Sequence, residues 1–165
     1  MNLNLNRQTM ENNTTRSWVK TGVVFGLLFT VIYPSMIFIS FPKQIILILA
    51  FGFSASLAIA SIGLYRFLSL NKTTVSLQIG VLFNIIACSV VFIMFALQIS
   101  LFSDELSRNL NVPKETSAYV SQLLNITQLT LDIVWDMFIS VGTFLLALNM
   151  MSHPRLGKIF GGLGI

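Results

Sequence analysis

Apolar residues in this chain gather in four long runs separated by short polar breaks, and they do not alternate with polar ones. The runs are Thr21–Phe41, Ile45–Leu64, Val75–Phe102 and Leu129–Met150, and none contains Lys, Arg or Glu. About 20 apolar residues are needed to cross a hydrocarbon core as a helix, so each run is long enough. Only helices and closed barrels satisfy every backbone polar group in lipid. Continuous runs without a two-residue alternation predict helices over barrel strands. The expected fold is therefore all-α, an integral membrane helical bundle with four transmembrane helices occupying residues 21–150. The first run is too long for a cleavable signal peptide, and no small-residue cleavage site follows it.

Polar segments divide the rest of the chain. Residues 1–20 are rich in Asn and Thr and are expected to form a mobile tail. The connection 103–128 is patterned like helix after Pro113, with Tyr119, Leu123 and Leu124 at helical spacing. It predicts either a short interfacial helix or an extension of the fourth span. After Ser152-His153-Pro154-Arg155 another apolar run begins at Leu156 and ends at Ile165. Ten residues cannot cross a bilayer, so the sequence predicts the start of a truncated fifth helix over 151–165.

Composition sharpens this picture. Of 165 residues, 55% are hydrophobic and 10% charged, and the net charge is +4. Soluble domains carry about 25% charged residues, so this chain lacks the polar surface for water. Its positive charge sits at the ends of the apolar runs, not along one face, which argues against nucleic acid. Arg7, Arg16, Lys20, Arg66, Lys72, Arg155 and Lys158 fall on one side of the membrane, and Lys43, Arg108 and Lys114 on the other. The positive-inside rule then places the N-terminus in the cytoplasm.

Asp132 and Asp136 are the only acids within the four runs. A charged side chain at the bilayer centre costs roughly 2.5–3.5 kcal/mol on insertion scales, so such a residue marks a functional candidate. The pair belongs to a stripe of Ser121, Asn125, Gln128, Asp132, Asp136, Ser140 and Thr143, whose steps of three and four residues keep it on one helical face. Matching depths across the predicted helices groups Asp132 and Asp136 with Gln98, Tyr33, Ser54 and Ser56 in an interior polar cluster. Pro34 beside Tyr33 frees a carbonyl near residue 30, either as a ligand group or as a packing bend. Two carboxylates one turn apart repel when both are ionised. The pair therefore calls for a proton, a small cation, hydrogen-bond donors or a cationic group on another protein. The alternative is a structural one, with the acids holding helices together through hydrogen bonds.

Other signals point to packing. Gly22-x-x-x-Gly26 and Gly52-x-x-x-Ser56-x-x-x-Ala60 put small residues on one helical face, where helices approach closely. Cys88 is the single cysteine and His153 the single histidine, so no intrachain disulfide or histidine-built metal site is expected. No catalytic constellation, P-loop or nucleotide fingerprint is present, so no cofactor is expected and a membrane enzyme ranks as a third reading, behind transport or sensing and a subunit role. Trp135-Asp136-x-Phe138-x-Ser140-x-Gly142-Thr143, followed by Met150-x-x-His153-Pro154-Arg155-x-Gly157-x-x-x-Gly161, resembles a pattern in uncharacterised bacterial multi-pass membrane proteins. The resemblance implies a bacterial inner-membrane helical bundle and brings no activity with it. The expected function is a small transporter or sensor with a proton or cation site at the Asp pair. The alternative is a non-catalytic membrane subunit that meets a partner protein or another copy of itself.

Overall fold

The computed structural model describes residues 2–101 and 114–154, together with Leu156, Gly157, Ile159 and Gly162. Among these, four α-helices follow in order: α1 (Asn2–Phe38), α2 (Lys43–Ser69), α3 (Val75–Leu101) and α4 (Lys114–Met151). Each contains a stretch long and apolar enough to span a membrane: Asn13–Phe38, Gln44–Ser69, Val75–Gln98 and Glu115–Met151. The chain is thus an all-α membrane helical bundle with four candidate spans. The expected fifth helix lies largely outside the described residues, as does the 102–113 connection with Pro113.

Two helices are longer than their apolar runs. At 1.5 Å per residue, α1 reaches about 55 Å and α4 about 57 Å, nearly twice a hydrocarbon core. The 2–20 stretch, expected as a mobile tail, is instead a continuation of α1. Asn and Thr are modest helix formers, but extending an existing helix avoids the cost of nucleation. The same logic selects the second of the two expectations for 115–128, which continues α4 away from the fourth span.

Consecutive helices pack antiparallel, so α1, α2, α3 and α4 lie side by side in chain order. The central pair is the better covered, with 28% and 33% of the α2 and α3 spans buried, against 6% for α1 and 17% for α4. Glycine sets the α1–α2 contact: a β-carbon on Gly22 would lie 2.5 Å from the Gly63 Cα, so the two backbones touch. Gly26 faces the Ala60 side chain one turn further on. In the half away from the N-terminus Phe53, Val91 and Met94 form a buried cluster, with Phe29, Leu131 and Trp135 packed on it. Nearer the N-terminal side Leu68, Leu77 and Leu146 form another.

Polar bonds fix the N-terminal side of α3 against α4. Thr74 caps α3 by accepting the Leu77 N–H at 3.1 Å. Its hydroxyl donates to Asn149 Oδ1 at 2.6 Å, and Asn149 Nδ2 donates to Ser76 Oγ at 3.1 Å and to the Leu145 carbonyl at 2.7 Å. Since the Thr74 proton is already used, Ser76 donates to Thr74 across 3.0 Å, which closes a ring of three side chains. After α4, buried His153 stacks on Phe67 at 4.8 Å. Its carbonyl accepts the Gly157 N–H at 3.0 Å, and Gly157 turns the chain at φ 65°, a left-handed conformation that suits glycine.

Candidate functional site

The ridge of α4 that meets α3 is apolar and small. Gly142 and Leu146 are buried along it, and Gly80 of α3 sits against the Gly142 carbonyl. A residue six positions before Gly142 is rotated by about 120° at 100° per residue, so Asp136 leaves that ridge. The polar stripe therefore flanks the packed face without entering it. Gln128 and Asp132 lie half-buried at the seam, while Ser121, Asn125, Asp136, Ser140 and Thr143 are exposed. No hydrogen bond or ion pair reaches either carboxylate among the described residues.

Contacts between neighbouring helices give the depth of each candidate. Ser76 on Asn149, Gly80 on Gly142 and the Phe83–Phe138 ring pair at 5.3 Å define the α3–α4 register. Carried along both helices, that register sets Asp132 level with Val91 and Gln98 level with Asn125. Gln98 is thus about two turns further from the N-terminal side of the bundle than Asp132, which corrects the depth match expected from sequence. The expectation measured depth from the ends of the apolar runs, but α4 extends well past its run. The Asn84–Ser61 bond, at 3.4 Å, carries the register on to α2 and puts Asp136 level with the middle of that helix.

The remaining candidates surround Phe53. The Tyr33 ring lies 5.5 Å from that of Phe53, and Tyr33 is 49% exposed. Ser54 and Ser56 are buried, and the Ser54 hydroxyl donates back to the Ala50 carbonyl at 3.4 Å. Leu131 and Trp135 of α4 pack on the same cluster, which brings Asp132 to its edge. Tyr33, Ser54 and Asp132 therefore share a level, and Ser56 lies between the levels of the two aspartates. No hydrogen bond joins any two of the six candidates among the described residues. Buried Trp135 Nε1 and Asn84 Oδ1 have no hydrogen-bond partner.

Sequence reasoning left two polar groups outside the candidate site. Asn84 is 4% exposed at the junction of α2, α3 and α4, and Asn149 anchors the ring with Thr74 and Ser76. The available signal was an Asn inside an apolar run at each place. Among the recesses on the described surface, two are almost wholly apolar. One lies between α2 and α3 at Ser54, Ala58, Cys88 and Phe92; the other lies between α1 and α2 at Gly22, Gly26, Gly63 and Phe67. Neither contains an aspartate.

Fold and site together define a multi-span helical membrane protein with an acidic polar face on a peripheral helix. No known family model, curated protein or solved structure matches the chain.

Proposed function

We propose that this chain is a non-catalytic subunit of a membrane assembly and that the polar face of α4 is its contact surface. One observation carries the reading: Asp136, level with the middle of the bundle, lies on the exposed side of a membrane-spanning helix with Ser140 and Thr143. Polar groups at that depth face protein or enclosed water, not lipid. The four described helices leave this face uncovered. Together with the resemblance to bacterial membrane proteins, the charge bias supports an inner-membrane location with the N-terminus in the cytoplasm.

Spin labels read by their collisions with oxygen and with a water-soluble nickel reagent test this in the protein's own membrane. Labels at Ser140 and Thr143 are expected to be shielded from both, and labels at Val141 and Leu148, exposed on the other side of α4, to be open to oxygen. Equal oxygen exposure of both sets removes the proposal. A second reading is proton or small-cation handling, as in a transporter or sensor, centred on Asp132 with Asp136, Tyr33, Ser54, Ser56 and Gln98 as its surroundings. The half-buried position of Asp132 at the α3–α4 seam favours it. High nickel access at Ser140 and Thr143 supports that reading instead.

A further inference from the structure

Resting on the assembly reading, we infer that the partner seated on α4 is a transmembrane helix of another protein carrying a Lys or Arg near mid-membrane. Two carboxylates on the contact face have no counter-charge among the described residues. Residues 21–42, 44–65, 73–107 and 115–154 contain no Lys or Arg, so none lies at the level of Asp132 or Asp136 on the described helices. A second copy supplies none either, and a symmetric pair through this face brings carboxylate against carboxylate, which repels. A cationic side chain on a different helix supplies the missing charge and donors to both carboxylates, and in low dielectric that attraction is strong.

The geometry of the face suits a helix. From Ser121 to Thr143 the stripe runs about 33 Å, close to the hydrocarbon thickness, and stays within about 120° of the circumference of α4. Flanking hydroxyl and amide groups at Asn125, Ser140 and Thr143 give further hydrogen-bond sites above and below the acids. Charge complementarity at one depth, within an otherwise apolar helix, also fixes register and excludes partners that lack the cation.

A defined probe tests the inference. The full chain is reconstituted in phosphatidylcholine vesicles, and energy transfer is measured to a synthetic Leu/Ala transmembrane helix bearing one central Arg. Matched helices carry Leu or Gln at that position, and a parallel experiment mixes donor- and acceptor-labelled copies of the chain. The Arg helix is expected to bind at least tenfold more tightly than the Leu helix. The D132N/D136N double variant, checked for native helicity, is expected to bind both alike. Arg and Leu helices binding the wild type equally overturn the inference. If copies of the chain also associate through α4 and lose that association in the double variant, the assembly reading survives with a second copy as occupant. If neither kind of association occurs, the assembly reading falls as well.

Discussion

Gly22 of α1 and Gly63 of α2 meet backbone to backbone, with no room for a side chain between them. This contact sets how closely the first two helices approach, and α1 has little other burial to hold it. A methyl group at Gly63 forces the helices apart, so Gly63→Ala is expected to lower stability by about 1–3 kcal/mol. Gly26→Ala is the control. Its β-carbon would sit 3.8 Å from that of Ala60, an ordinary contact, and alanine is the better helix former. Steric trapping in bilayers or micelles compares the two. Equal effects refute the close crossing.

Asn84 and Gly142 form the corresponding contact between α3 and α4. A β-carbon on Gly142 would run into Asn84 Oδ1, and it would lie 3.0 Å from the Asn84 backbone nitrogen. Gly142→Ala is therefore expected to destabilise, and Asn84→Ala in the same chain to restore part of the loss. A double-mutant cycle should give a coupling of about 0.5–3 kcal/mol. Additive losses would mean that the two residues do not share this space.

How much of this could be read from the sequence depends on the physical signal involved. The four helices follow from run length, because the bilayer imposes a minimum span that few other structures need. The α1–α2 contact was half legible: Gly22, Gly26 and Ala60, which faces Gly26, stood out by spacing, but Gly63, the partner of Gly22, lies outside the Gly52–Ser56–Ala60 series. Helix ends were the weak point. Polar residues 2–20 carry no apolar pattern that marks them as helix, and the helical spacing over 115–128 did not say which element it joins, yet both extend helices already nucleated by a span. That error propagated to the site, where depth counted from apolar run ends put Gln98 beside Asp132 and not beside Asn125. The stripe on α4 was legible as a face, since spacing fixes an angle. Which neighbour the face meets is a tertiary fact that spacing does not contain.

The ring of Thr74, Ser76 and Asn149 makes a separate prediction about the N-terminal side of the bundle. Asn149→Leu removes the acceptor for Thr74 and the donors to Ser76 and the Leu145 carbonyl. Thr74 and Ser76 keep each other and the cap, so the expected loss is about 1–2 kcal/mol. Thr74→Val removes the cap as well as the Asn149 bond and is expected to cost at least as much. Hydrogen exchange at the Leu77 and Gln78 amides reads the local effect. Unchanged protection in Thr74→Val would refute the cap.

Cys88 tests burial directly. It is 4% exposed within α3, behind the recess formed with Ser54 and Ala58. Reaction needs an accessible thiolate, so a membrane-permeant maleimide is expected to label the folded protein poorly and the SDS-denatured protein fully. Rapid labelling of the folded form would place α3 in a different rotation about its axis.

Asp136→Leu separates a role within the chain from a role outside it. Asp136 is exposed and without a hydrogen bond or ion pair among the described residues, so its removal takes no bond from them. Surface substitutions of this kind change stability by about 0.5 kcal/mol or less. Insertion of α4, in contrast, should improve by roughly 3 kcal/mol, because an acid at the helix centre is replaced by an apolar group. A translocon-insertion assay on the α4 segment and steric trapping of the whole chain measure the two effects independently. The expected result is easier insertion with unchanged stability. A stability loss above about 2 kcal/mol would show that the carboxylate bonds within its own bundle, and the polar face of α4 would then be an internal surface and not a contact for a partner.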